Sequence, residues 1–288
     1  MSTKENLTKK QHYVPRFYLR RFSADGKSLC VYDRERSVYR KQSISDTCES
    51  NFLYDTRAEG LVNGLIRPNS TESALSELES EFAKTLDSVL AEGIPIEERA
   101  RLFSLNRESL EAFCSNLIFR SPETMQAFTD LDEARIALKE CDDPFDEGDF
   151  EFLDYVFGSA DYVIEESLKQ VLAAGSIDGE SVGPQHEFRE MLSRMTLVIA
   201  LDPNGGFLTS SRPFFSKFEN DDEARFVYVP LSPCVAVAFT KGAPKVVASE
   251  ISASDVLASN KLILSPDRGD WKYGIALRKE TLEATLAK

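Results

Sequence analysis

The chain has 288 residues, with 34 lysines and arginines against 48 aspartates and glutamates, so its formal net charge is −14. A hydrophobic share of 42% is ordinary for a globular protein and excludes a disordered chain. No apolar run reaches the roughly 18 residues that a membrane-spanning helix needs, so we expect a cytoplasmic protein without a membrane segment.

The chain opens on a basic strip, residues 1–41. It holds eleven basic and four acidic residues, a net +7, which leaves −21 for the remainder (23 basic against 44 acidic). Such a strip can bind the phosphates of a nucleic acid or nucleotide, or it can dock on the acidic body of its own chain. In a second arrangement, the acidic body would recruit a basic protein partner.

Periodicity predicts strands first and helices next. SLCVYDRE and VYRKQSI alternate apolar and polar residues, which predicts a small sheet with hairpin connections across about 28–56. Apolar residues at spacings of three and four predict the clearest helix at 72–90 and a second at 107–121. Further helices are predicted at 123–140, 149–174 and 185–195.

After residue 195 the chain becomes rich in short β-branched segments. TLVIALD, GGFLTS, RFVYVPL and CVAVAFT are typical of strands, followed by a helix at about 253–264 and a strand in WKYGIAL. The order strands, helices, strands predicts an α+β fold with a mainly antiparallel C-terminal sheet. We interpret 1–288 as a single domain with sub-regions 1–60, 70–195 and 196–288.

The first segment, QHYVPRFYLRRF, contains the main candidate for acid–base chemistry, His12. A histidine can act near neutral pH as acid or base. If the residues after Pro15 are helical, Arg16 and Arg20 share one face at i, i+4 and can bind an anion. We therefore take His12 as a candidate catalytic residue, with Arg16 and Arg20 as candidate substrate-binding residues; alternatively, His12 is structural and pins the N-terminus.

Three later residues complete the candidate set. Glu79 and Arg120 each lie near the apolar stripe of their helix, where an unpaired charge is unfavourable. They either form a partly buried ion pair, or Glu79 meets His12 in a cleft as acid–base partner or metal ligand, with Arg120 binding substrate. Thr209, in the turn FLTSSRPF, either presents a hydroxyl to an anion or closes a local turn.

Several well-known sites are absent from the sequence. There is no Walker-type phosphate loop, no G-x-S-x-G elbow and no H-E-x-x-H, and the chain has only two histidines. An all-oxygen Mg²⁺ site remains open among the 48 carboxylates. Five widely spaced cysteines without C-x-x-C favour reduced, mostly buried thiols.

The sequence resembles the bacterial family called domain of unknown function forty-two thirty-eight. The resemblance rests on QHYVPRFYLRRF, on SNFLYD, on the E-x₆-E spacing of Glu72 and Glu79, and on the R-[ST]-P step at 120–122. The turn at 209–213, PLSP at 230–233 and the N-x-x-[IL] helix at 260–263 also match. This chain has Ser211 where the family's turn usually has Asp, and the resemblance implies positions rather than chemistry.

Two functions therefore remain open. The first is a nuclease-like or nucleotide-directed enzyme, a metal-assisted or His-dependent phosphodiester hydrolase with a toxin or anti-phage role as conjecture. The second is a non-catalytic protein-interaction module with an acidic surface.

Overall fold

A computed structural model of the chain describes residues 9–54, 70–141, 143–177, 180–181, 183–220, 223–266 and 271–287. The start of the basic strip (1–8) and the predicted boundary between the first two sub-regions (60–70) lie outside these ranges, except residue 70. The described strands are β1 (Lys10–His12), β2 (Ser28–Asp33), β3 (Val38–Ser43), β4 (Glu49–Asn51), β5 (Ser176–Ile177), β6 (Glu180–Ser181), β7 (Thr196–Leu201), β8 (Thr209–Ser210), β9 (Phe215–Asn220), β10 (Glu223–Ser232), β11 (Val235–Thr240), β12 (Val246–Glu250) and β13 (Tyr273–Ala276).

The helices fall mainly in the middle of the chain. Two single 3₁₀ turns, Arg20–Phe22 and Ile44–Asp46, accompany the N-terminal strands. The described α-helices are α1 (Arg16–Leu19), α2 (Ser70–Leu90), α3 (Ile96–Leu105), α4 (Arg107–Phe119), α5 (Pro122–Phe128), α6 (Leu131–Glu140), α7 (Glu147–Phe157), α8 (Ala160–Ala174), α9 (Pro184–Ser193), α10 (Ala253–Ile263) and α11 (Lys279–Leu286).

The structure confirms the α+β class and most of the predicted elements. Helices α2, α4, α9 and α10 occupy the predicted positions because their apolar residues repeat at helical spacing. The predicted helices 123–140 and 149–174 are each two helices. Asp130 accepts hydrogen bonds from the first turn of α6, and Gly158, at φ 84°, ends α7 in a left-handed conformation that favours glycine. Helices α3 and α11 were not predicted.

Two sheets organise the strands. The larger has the order β12-β7-β11-β10-β9, antiparallel except for the parallel pair β12–β7. The smaller, β3-β2-β13-β8, joins the predicted N-terminal hairpin to strands from the end of the chain. Strands β1 and β4 form a separate antiparallel pair, which places His12 opposite Glu49.

Aromatic packing fixes the N-terminal segment against the middle helices. The ring of Phe113 on α4 lies 5.8 Å from that of Phe17, 5.9 Å from that of Tyr18 and 5.5 Å from that of Phe82. Phe17 and Tyr18 belong to α1, whereas Phe82 belongs to α2. The largest core cluster contains residues from all three predicted sub-regions, and this shared packing holds the first strands over α2 and α4.

The cysteines are only partly as predicted. All five are free. Cys48 and Cys114 are buried and Cys30 is half-buried, whereas Cys141 and Cys234 are exposed, so the expectation of mostly buried thiols is wrong. Among the helices that the structure describes, none has both the length and the apolar character required to cross a membrane.

Candidate functional site

A polar cavity of about 300 Å³ lies where the N-terminal segment folds over the middle helices. It brings together side chains from β1, from the start of α1, from α2 and from the residue that follows α4. Four predicted site residues are among them. The lining residues are Lys10, His12, Arg16, Ser45, Glu72, Glu79 and Arg120.

Local sequence explains how the two arginines reach this cavity. Pro15 cannot donate a backbone hydrogen bond, so it precedes the first turn of α1 and leaves Arg16 as its first, exposed residue. At the other side, α4 ends at Phe119 and α5 begins at Pro122. Arg120 therefore lies in a tight joint between two helices, where its side chain turns into the protein.

Arg120 is the centre of a buried hydrogen-bond network. It is 1% exposed, and its Nε donates to the Tyr54 hydroxyl at 3.1 Å. Its Nη1 donates to Glu79 Oε1 at 2.8 Å and to Asn116 Oδ1 at 3.3 Å. Its Nη2 donates to the carbonyl oxygen of His12. The guanidinium thus ties α2 and α4 to the backbone that carries His12.

Tyr54 is the second residue that links this network together. Its hydroxyl donates to the His12 carbonyl oxygen at 3.2 Å, with the Arg120 carbonyl at 3.3 Å, and its backbone N–H donates to Gln11 Oε1 at 2.7 Å. Burial raises the pKa of Tyr54 to about 12, so the phenol is neutral at pH 7. Burial alone would lower the pKa of Arg120, but Tyr54 and Glu79 raise it overall, and the guanidinium stays charged.

His12 contributes the one imidazole of the cavity. The residue is half-buried, and its Nε2 is buried without a hydrogen-bond partner among the described residues. Burial lowers the pKa of His12, and the positive charge of Arg16 lowers it further. A hydrogen bond with the Ile44 backbone and the charges of Glu49 and Glu79 oppose this shift only in part. The ring is therefore neutral at pH 7.

The basic groups at the mouth of the cavity differ in availability. Lys10 Nζ lies 2.7 Å from Asp46 Oδ1 and 3.4 Å from Glu49 Oε1, so its charge is already paired. The side chain of Arg16 is exposed and makes no hydrogen bond or ion pair with any residue that the structure describes. Arg16 is thus the cation that an incoming anion can bind without breaking an existing pair.

Much of the basic strip, in contrast, is paired within the chain. Five of its described cations contact carboxylates: three contact carboxylates on the strip itself, one on the following turn and one on α2, and only the last two are contacts with the acidic remainder of the chain. These ion pairs are Lys10–Asp46, Arg21–Asp87, Arg36–Asp33, Arg40–Asp33 and Lys41–Asp25.

Two predicted site residues lie elsewhere. Arg20 is exposed in the 3₁₀ turn after α1 and does not line the cavity. Thr209 is fully buried in β8, and its hydroxyl lies 2.7 Å from the Tyr18 hydroxyl, which donates to the Pro230 carbonyl at 2.7 Å. The Thr209 hydroxyl thus contacts a residue 191 positions away in the chain and does not close a local turn.

Sequence reasoning missed several parts of the site. Tyr54 and Gln11 lie within quoted segments, SNFLYD and QHYVP, but nothing in the spacing indicates that they touch. Glu72 enters the sequence analysis only through its E-x₆-E spacing with Glu79 and is not among the candidate site residues. The signal that could have found them is their place in the motifs, because motif residues separated by 40 to 110 positions meet in one hydrogen-bond network.

Glu72 and Glu79 are the carboxylates that the cavity could offer to a metal ion, together with the His12 imidazole. Across the described ranges, no three His, Cys, Asp or Glu side chains are grouped so that they could hold one. One oxygen of Glu79 is also occupied by Arg120.

The comparison with known families agrees with the motifs. Residues 10–265 match the family described as protein of unknown function (DUF4238). The chain belongs to this family. No curated protein and no solved structure matches the chain. The DUF4238 match covers every residue that lines the cavity and all of the large sheet, whereas β13 of the smaller sheet lies beyond it.

Proposed function

We propose that the cavity is the active site of a phosphodiester hydrolase that acts on a nucleic acid or nucleotide. His12 is the general acid–base group, and Arg16 binds the phosphate. The observation that carries this proposal is the buried Nε2 of His12, which has no hydrogen-bond partner among the described residues and lies in a cavity shared with an exposed, unpaired guanidinium. An unsatisfied buried nitrogen is unfavourable unless a ligand uses it.

The protonation state of His12 suits a base. Because Nε2 has no described partner, the hydrogen bond with Ile44 falls to Nδ1, and donation to that backbone carbonyl leaves a lone pair on Nε2. Nε2 takes a proton from a water molecule while the water oxygen bonds to phosphorus. The bond from phosphorus to the leaving oxygen then breaks, and the imidazolium returns the proton to that oxygen.

The other residues have distinct parts in this proposal. Arg16 offsets charge on the phosphoryl oxygens. The donors of Arg120 are taken by Tyr54, Glu79 and the His12 carbonyl, so Arg120 positions His12 rather than binding substrate. A volume of about 300 Å³ corresponds to about ten water molecules. That space fits one phosphodiester with part of its sugar and favours a single strand or a nucleotide over a duplex.

Cleavage assays test the proposal directly. Purified protein is incubated with single-stranded RNA, single-stranded DNA and a dinucleotide, each in Mg²⁺ and in EDTA. We expect cleavage by the wild type and a loss of about 10²- to 10⁴-fold in His12→Gln. His186→Gln, at the only other histidine, which is exposed on α9, is the matched control and should retain activity. Inactive wild type, or an equally active His12→Gln, contradicts the proposal.

A cytoplasmic nuclease of this kind would act as a toxin or anti-phage effector. The free state of all five cysteines supports a reducing compartment such as the cytoplasm. Growth arrest on induction of the wild type, absent with His12→Gln, is the expected result.

One observation favours the alternative of a protein-interaction module. Helix α7 exposes 61% of Phe152 and 88% of Tyr155 within an acidic segment. Exposed aromatic residues with acidic neighbours suit a basic partner. Salt-sensitive binding to an immobilised arginine-rich peptide, lost in Tyr155→Ser, together with no cleavage of any phosphodiester, would favour this function.

A further inference from the structure

A second and wider cleft, which we call the β9–β11 cleft, opens beside the edge of the large sheet and the end of α10. Its volume is about 810 Å³. It combines three cationic side chains with two phenyl rings, and its described lining includes no acidic residue. The lining residues are Phe215, Lys217, Arg225, Phe226, Thr240, Lys241 and Leu262.

A bulge in β10 builds this cleft. The register with β9 shifts between Ala224, opposite Phe218, and Phe226, opposite Lys217, so Arg225 is the extra residue. In a regular strand, consecutive side chains point to opposite faces. Bulges redirect side chains, and here both Arg225 and Phe226 line the same cleft.

The cations of the cleft differ from those of the basic strip. Lys217 and Arg225 are exposed, and neither forms an ion pair with a residue in the described part of the chain. In the described part of the basic strip, by contrast, five of the ten cations are paired with carboxylates. On a chain of net charge −14, two such cations beside one another favour an anionic ligand.

The phenyl rings of the cleft favour a ligand that also carries planar groups. Phe215 and Phe226 are half-buried, with ring centroids 6.2 Å apart, and the ring of Phe226 is parallel to that of Tyr228 within 2°. Partly exposed rings of this kind provide faces for planar groups. Aromatic residues flanked by cations are the combination by which proteins bind single strands, with bases on the rings and phosphates on the basic groups.

We propose that the β9–β11 cleft binds single-stranded nucleic acid. Lys217 and Arg225 contact its phosphates, and a base stacks against Phe226. A duplex is disfavoured, because its bases are stacked on one another and cannot turn a face to a ring. The proposal goes beyond the hydrolytic cavity and does not depend on it, since binding here requires no chemistry at His12.

Fluorescence anisotropy with a labelled twenty-nucleotide oligothymidylate tests the proposal on the full chain. We expect the double variant Lys217→Ala/Arg225→Ala to bind at least tenfold more weakly. The slope of log affinity against log salt should fall by about 1.4, because each single-strand phosphate contact contributes about 0.7. Phe226→Leu keeps an apolar side chain and should weaken binding by roughly tenfold, with its fold checked by circular dichroism.

Controls separate this site from general attraction of polyanions. Lys84→Ala/Arg194→Ala removes the same charges at exposed positions that do not line the cleft, and it should bind as the wild type does. No binding by the wild type at low salt, an equal loss in this control, or equally tight binding of heparin or of a duplex would overturn the proposal. The two cavities share no lining residue. Cleavage of a dinucleotide and binding of the oligothymidylate are therefore separate measurements, and either proposal can fail while the other holds.

Discussion

Replacement of Arg120 by methionine tests whether this arginine organises the cavity. Methionine keeps much of the side-chain volume and removes every donor of the guanidinium. The Glu79 carboxylate, the Tyr54 hydroxyl and the His12 carbonyl each lose the hydrogen bond that the guanidinium donates, although Tyr54 still donates to the His12 carbonyl. Since all three groups lie at or beside the cavity, we expect the free energy of unfolding to fall and the position of His12 to change.

The burial of the Arg120–Glu79 pair sets the expected loss in the free energy of unfolding. The side chain of Arg120 is 2% exposed and that of Glu79 is 26% exposed, with 2.8 Å between Nη1 and Oε1. Removal of one partner from a buried pair lowers the free energy of unfolding by about 3–5 kcal/mol. Water can still reach the Glu79 carboxylate, which places the expected loss near the lower end, at about 3 kcal/mol.

Urea unfolding followed by circular dichroism measures this loss. Arg101→Met is the matched control, because Arg101 also contacts a glutamate, Glu98, at 2.7 Å. That pair is on the surface, where its arginine is 62% exposed, and exposed pairs contribute little. We expect Arg101→Met to unfold close to the wild type. A loss below about 1 kcal/mol in Arg120→Met would refute the reasoning, as would equal losses in the two variants.

Three further results are expected. Because the pKa of His12 is lowered in the folded protein, the unfolded chain binds a proton at His12 more readily. The free energy of unfolding should therefore fall as the pH drops below the ordinary value of 6.5, and it should level off below the folded pKa. In urea titrations from pH 8 to 5, His12→Gln should lack this component. Arg16→Gln should raise KM for a phosphodiester without changing the unfolding midpoint, because Arg16 is exposed with no described ion-pair partner; an unchanged KM would remove it from the site. Thr209→Val should lower the free energy of unfolding by about 1 kcal/mol through the lost contact with Tyr18, with cleavage unchanged; a stable variant with impaired cleavage would return Thr209 to substrate binding.

Local periodicity predicted much of the fold, and its failures have local causes. Helix α2 could be found because its stripe of apolar residues, from Leu75 to Val89, repeats without interruption over about four turns. The break at Gly158 was missed, since apolar residues continue on both sides of it and only the positive φ ends α7. Strand β12 is not predicted because it is a short, mostly exposed edge strand, and its parallel pairing with β7 has no local signal.

Much of the site could not be predicted for the same reason, because residues far apart in the sequence form it. The pairing of β13 with β2 joins residues more than two hundred positions apart, which no spacing in the sequence encodes. The sequence predicts the ion pair of Glu79 with Arg120 as one of two alternatives, because each residue lies at the edge of an apolar stripe. Tyr54 was not foreseen, since its role depends on a backbone turn beside β1 rather than on any pattern within SNFLYD.

The ion pair alone does not argue for a function, because a buried pair can be a structural feature. The functional evidence is instead the polar group that this network leaves without a hydrogen bond. Arg120 and Tyr54 both bind the backbone carbonyl of His12, so they restrain the residue whose Nε2 lacks a partner among the described residues. A network evolved for stability alone would be expected to satisfy that nitrogen or replace it. Restraint of this imidazole beside the Arg16 guanidinium, which has no ion-pair partner in the described ranges, is instead the arrangement that an anionic substrate with a transferable proton completes.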